Sequence, residues 1–111
     1  MSTQEMPPMP RVPTITPQAA HEEMESSNPL VVDVRPSEEY AAAHIEGALS
    51  IPLNEIQTLT SELLTDKNAR ILVYCNVGYM ATFAVEYLME QGYSNVASFG
   101  GIEQWIYGVK R

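Results

Sequence analysis

The chain has one cysteine, few positive charges and no long apolar run, and each scarcity removes a class of protein. A single thiol cannot close an internal disulfide, so the fold must stand on its core and does not call for an oxidising compartment. Six Lys and Arg against fourteen Asp and Glu give a formal net charge of −8. Nucleic acids and anionic membrane surfaces are bound by clustered cations, so neither is expected as a partner. The acids are scattered (Glu22, Glu23, Glu25, Glu38, Glu39, Glu46) rather than gathered in a tail, the pattern of a solvated surface. No stretch approaches the roughly 20 apolar residues of a membrane span. Residues 1–17 lack the basic start and apolar segment of a secretory signal, so a cytoplasmic protein is expected. The two histidines, His21 and His44, have no ligand spacing with the cysteine, and no zinc cluster is present. His21, beside Glu22 and Glu23, reads as solvent-facing.

What remains is a chain of 111 residues, 45% hydrophobic, enough for one domain with a real core. Residues 1–13 hold four prolines (Pro7, Pro8, Pro10, Pro13) and three methionines without periodicity. They read as a flexible tail preceding a domain over 14–111.

From there, helical and strand patterns alternate. Thr16-Pro17 is a helix start, with Thr as N-cap and Pro at the first helical position. Leu30 to Val34 is a β-branched run suited to a strand buried on both faces. Pro36-Ser37-Glu38-Glu39-Tyr40 opens a short helix, with acids in its first turn where the dipole favours them. An extended piece follows over Gly47–Pro52. Asn54 then caps a helix in a box-like arrangement with Gln57, and Ile56, Leu59 and Leu63 form its apolar stripe. Ile71 to Tyr74 is a second buried strand. The next helix carries Phe83, Ala84, Tyr87 and Leu88 on one face and stops at Gly92. Asn95 to Ser98 is a last strand, and Gly100-Gly101 leads into a final helix with Trp105 and Tyr107. Such alternation predicts an α/β domain with a mainly parallel sheet covered on both faces. Right-handed crossovers put the strand-to-helix loops at the carboxyl edge of the sheet, where open α/β folds place their sites.

The lone cysteine falls at that edge, in Tyr74-Cys75-Asn76-Val77-Gly78-Tyr79-Met80-Ala81. Gly78 allows the positive φ that a curled loop needs. Loop amides and a helix N-terminus then converge into an anion cradle, which favours the reactive thiolate of Cys75. A nucleophile on such a cradle suits attack on a sulfane sulfur or on a phosphoryl group. A small buried hydrophobe ending a strand is the plainer reading of a free cysteine.

Six short segments in order resemble the single-domain rhodanese family of sulfurtransferases. They are Val31-Val32-Asp33-Val34-Arg35; Glu38-Glu39-Tyr40 with His44-Ile45-Glu46-Gly47-Ala48; Ile51-Pro52-Leu53; the Cys75 loop; Gln91-Gly92-Tyr93; and Gly100-Gly101-Ile102 with Trp105. The resemblance spans residues 14 to about 107. It implies a rhodanese-like fold, with a five-stranded, mainly parallel sheet and helices on both faces. It implies that Cys75 attacks the sulfane sulfur of thiosulfate or a persulfide, becomes a cysteine persulfide, and yields the sulfur to a thiol, cyanide or a protein acceptor. Asn76, Val77, Gly78, Tyr79, Met80 and Ala81 would hold the donor, with Asp33 and Arg35 as a structural brace. No metal or organic cofactor is implied. The six-residue loop matches sulfurtransferases, whereas related phosphatases and arsenate reductases use a loop one residue longer that ends in arginine. Family loops often carry a basic residue at the positions of Tyr79 or Met80. Its absence here favours a persulfide donor over thiosulfate, and leaves a non-catalytic binding module or a sulfur carrier as the alternative.

Overall fold

The structure, a computed structural model, describes residues 7–111. Four parallel strands form one sheet in the order β2-β1-β3-β4: β1 (Leu30–Asp33), β2 (Leu49–Ser50), β3 (Ile71–Cys75) and β4 (Val96–Gly101). Helix α1 (Pro17–Ser26) leads into β1, and three helices connect the strands: α2 (Ser37–Ala42), α3 (Ile56–Leu63) and α4 (Tyr79–Glu90).

The five-stranded expectation is corrected to four strands among the described residues. At the fifth position Thr14 makes a single parallel bridge with Ser98, outside β4. Ser98 N–H donates to Pro13 O, and Ile15 N–H donates to Ser98 O, both at 2.9 Å. Pairing stops there for a local reason. Pro13 has no N–H to extend the ladder, and Thr16 already turns the chain into α1, its side chain accepting from Ala19 N–H at 3.0 Å. Of the residues read as a tail, 1–6 lie outside the described part. Within it, Val12 packs on the core and Pro7 O accepts a hydrogen bond from Tyr79.

Side-chain alternation along β3 divides the core into two layers. Ile71, Val73 and Cys75 face α3 and α4, packing with Ile56, Leu64, Ala84, Val85 and Leu88. Leu72 and Tyr74 face the other way, against Ala20 of α1, Phe99 and the edge of Trp105. All five residues of β3 are buried, which explains the uninterrupted apolar run. Full burial of a side chain such as Leu88 contributes about 1.5–3 kcal/mol.

Several local expectations are corrected. Asn54 does not cap α3. The chain first forms a 3-10 turn over Leu53–Glu55, with Glu55 N–H donating to Pro52 O, so α3 starts at Ile56 with its opening amides met by short-range bonds. Leu63 is 44% exposed, and Leu64 just beyond the helix takes the buried place. On α4 the fully buried stripe is Ala81, Thr82, Ala84, Val85 and Leu88, with Phe83 and Tyr87 only half-buried. The final helix is a 3-10 turn over Ile102–Gln104. It ends because Trp105 is drawn onto Phe99, with ring centroids 5.5 Å apart, and its Nε1–H donates to Gly108 O. His21 is not solvent-facing: it stacks on Tyr107, with centroids 3.8 Å apart, and meets the edge of Trp105.

Candidate active site

Cys75 ends β3 on the α4 side of the sheet, and the chain reverses into α4 within three residues. Gly78 makes that reversal. It is the N-cap of α4 at φ 107°, a left-handed conformation that L side chains resist. The turn brings backbone amides onto the sulfur. Gly78 N–H donates to Cys75 Sγ at 3.0 Å and Ala81 N–H donates to it at 3.3 Å. Ala81 lies in the first turn of a twelve-residue helix, so its amide also carries the positive end of the helix dipole. The amides of Tyr79 and Met80 in the same turn have no carbonyl one helical turn back to donate to. The residue Cys75 is 1% exposed, so the sulfur sits inside the loop rather than on its rim.

The loop is fixed from outside by β4 and by the turn after it. Cys75 pairs with Gly101 where the β3–β4 register shifts, an irregularity of the kind that re-aims side chains. Asn76 O accepts from Glu103 N–H at 3.1 Å. A Cβ added at Gly101 would lie 1.9 Å from that same Asn76 oxygen, so the loop backbone passes over Gly101 with no room for a side chain. Gly101 φ is −147°, so the requirement is purely one of space.

The loop residues singled out from sequence divide by role. Gly78 and Ala81 reach the sulfur through their amides. The Asn76 side chain turns away and donates to Glu39 Oε1 at 2.9 Å. Val77 is 56% exposed. Tyr79 donates its hydroxyl to Pro7 O at 2.7 Å and meets Phe83 edge-on. Met80 lies along a cleft of about 450 Å3 with Val34 and Leu53.

Asp33 and Arg35 are not in the cradle. They form a buried ion pair, with Nη2 to Oδ2 at 2.8 Å. Arg35 also donates to Ala43 O, holding the chain that leads into β2. Burial opposes the guanidinium charge, yet the hydrogen bond and negative charge of Asp33 outweigh it and hold Arg35 above its ordinary pKa. Burial, reinforced by neighbouring Asp33, pushes Tyr74 well above its ordinary 10.0. Arg35 Nη1 approaches Glu39 at 3.9 Å, and Glu39 holds Asn76. The pair thus reaches the loop through a chain of contacts, Asp33 to Arg35 to Glu39 to Asn76. Glu39 and Gly101 are the site residues sequence reasoning missed. The Gly100-Gly101 doublet was the available signal for one; the tether from Glu39 had none. His44 donates from Nδ1–H to Tyr40 O at 2.8 Å and stacks on the Tyr40 ring, a packed position on α2 and the segment after it.

A thiol within hydrogen-bond distance of two amides can carry negative charge and pass it to a second sulfur held by the same amides. Known proteins resemble this chain. The model of the rhodanese-like domain matches residues 16–107. The thiosulfate sulfurtransferase PspE of Escherichia coli is 40% identical over 72 residues, which cover 65% of this chain and 69% of PspE. The thiosulfate sulfurtransferase GlpE of Coxiella burnetii is 34% identical over 77 residues, 68% of this chain and 70% of GlpE. Among solved structures, a rhodanese with anions from E. coli superposes with a TM-score of 0.69 at 35% identity, covering 74% of this chain and 96% of that one. The chain belongs to the rhodanese-like domain family.

Proposed function

We propose that this sulfurtransferase carries its sulfur as a persulfide on Cys75. The observation that supports the reading is the pair of amides, Gly78 N–H and Ala81 N–H, directed at one thiol at the mouth of a helix. With a persulfide donor, the Cys75 thiolate attacks the outer sulfur. A bond forms between Sγ and that sulfur, the donor S–S bond breaks, and the donor thiol leaves with the electron pair and the proton. With thiosulfate the leaving group is sulfite. The resulting persulfide anion is attacked by a thiolate or cyanide, and the electron pair returns to Sγ. The amides that stabilise the thiolate stabilise the persulfide one bond further out, so the same cradle serves both half-reactions.

The donor we favour is a persulfide. From Cys75 to Ala81 no side chain is charged, and the guanidinium of Arg35, which reaches the loop through Glu39, is committed to Asp33 and Ala43. A dianionic donor therefore meets amide dipoles but no charged side chain of the loop itself. Mass spectrometry of the intact protein after exposure to glutathione persulfide tests the mechanism. A one-sulfur increment on wild type, absent from Cys75→Ala, is expected; the same increment on Cys75→Ala refutes it. Initial rates with thiosulfate and glutathione persulfide rank the donors, and a higher kcat/KM for thiosulfate refutes the preference.

A further inference from the structure

The cleft beside the cradle has a charge that the sulfur chemistry alone does not require. Its floor is apolar, built from Val34, Pro52, Leu53 and Met80, and Met80 belongs to the cysteine loop itself. Its rim carries Glu38 and Glu55, and no Lys, Arg or His lines it. Both glutamates are exposed. A third acid, Glu39, stands between this rim and the loop, hydrogen-bonded to Asn76. The guanidinium of Arg35, which approaches Glu39 at 3.9 Å, is already shared between Asp33 and Ala43 O. A volume of about 450 Å3 suits a small molecule.

We infer that this cleft is the subsite for the carbon part of the sulfur acceptor, and that it selects a small aminothiol with an ammonium group a few bonds from its sulfur. The methylenes lie on Leu53 and Met80, and the ammonium meets Glu38 and Glu55. An anionic thiol of the same size meets the same floor but is repelled at the rim. The inference rests on the persulfide reading above. The acceptor thiol loses its proton to solvent, its thiolate attacks the outer sulfur of the Cys75 persulfide, and a new S–S bond forms. The Sγ–S bond breaks with its electron pair returning to Sγ, so the aminothiol leaves as a persulfide and no oxidant or reductant is consumed.

The glutamates in the first turn of α2 also suit its dipole, so the test must read charge selection rather than stability. Wild type and the double variant Glu38→Gln/Glu55→Gln are loaded to completion with the neutral 2-hydroxyethyl persulfide and desalted. Each is then discharged with cysteamine, 2-mercaptoethanol or 3-mercaptopropionate, which are cationic, neutral and anionic thiols of similar size. The readout is the ratio of cysteamine to mercaptopropionate discharge rates within each protein, so differences in intrinsic thiol reactivity cancel between the two. The ratio is expected to be roughly tenfold higher in wild type at low salt. The advantage should collapse near 1 M salt, where the screening length is about 3 Å. An equal ratio in the two proteins, or a wild-type ratio unmoved by salt, overturns the inference while leaving the persulfide mechanism standing. Failure of Cys75 to load at all overturns both, and it is visible at the first step.

Discussion

Replacing Gly101 with alanine probes how the sheet sets the cysteine loop. The added methyl would sit 1.9 Å from Asn76 O, 2.2 Å from Asn76 C and 2.5 Å from Val77 N. These are backbone atoms, which cannot swing aside as a side chain would. To reach ordinary van der Waals contact the loop must retreat by about 1.5 Å. Retreat strains the bond from Glu103 N–H to Asn76 O and moves the amides of the loop relative to Cys75 Sγ. Overpacking of this kind costs about 1–3 kcal/mol, a fall in Tm of roughly 5–20 °C for a domain of this size. A displacement of about 1 Å at reacting groups can cost on the order of 100-fold in rate. The assay is single-turnover sulfur loading of Cys75, read by mass and run well below the variant's Tm. Gly47→Ala is the control: Gly47 has φ +88°, with nothing within 4 Å of an added Cβ. It carries the conformational cost of a left-handed alanine, about 1 kcal/mol, without touching the loop. It is expected to melt lower and load at the wild-type rate. A Gly101→Ala protein with wild-type Tm and wild-type loading would refute the reasoning, since the loop could then have yielded at no cost.

Three further outcomes follow from the same contacts. Asp33→Ala leaves the buried Arg35 guanidinium unpaired and should cost about 3–5 kcal/mol in urea unfolding; a loss below about 1 kcal/mol would show that the pair braces nothing. Met80→Arg supplies the missing cation beside the cradle, worth about 1.5–3 kcal/mol to a charge-assisted bond, so kcat/KM for thiosulfate should rise on the order of 10- to 100-fold with little change for a neutral persulfide. Glu23 is held below its usual 4.5, chiefly by its hydrogen bonds to Arg70 at 2.9 Å, a link from α1 to the start of β3. A lowered folded pKa stabilises the fold above 4.5, and that contribution is lost as pH falls through the folded value. Glu23→Gln should therefore lower Tm at pH 7 by a few degrees, for a partly exposed pair worth about 0.5–1 kcal/mol, and the gap to wild type should close toward pH 3. A constant gap across that range would contradict the linkage.

Residues whose conformation is set by their immediate neighbours were legible in the chain. Thr16-Pro17 starts α1 because a hydroxyl acceptor and a fixed φ suffice wherever the helix lies. The runs at Leu30 and Ile71 are strands because only burial on both faces accounts for unbroken β-branched and apolar side chains. Gly78 after Cys75 predicted the left-handed turn into α4. Asn54 and the segment after Gly101 went the other way. Asn54 has good capping chemistry, but the tight turn after Pro52 consumed the amides it would have capped. Trp105 has a helical neighbourhood, but its pull on Phe99 ended the helix after one turn.

The order of strands and helices along the chain, and the place of the lone cysteine at a strand-to-helix loop, were set by the amino-acid sequence alone, because they follow from local geometry and periodicity. Tertiary structure alone decided that Gly101 must be bare beneath Asn76 O, that Glu39 holds the loop from 37 residues away, and that Glu38 and Glu55 meet across one cleft. Each is a contact between segments distant along the chain. Nothing in the spacing of such residues encodes the distance between them until the sheet closes and brings β4, α2 and the turn before α3 to the same edge.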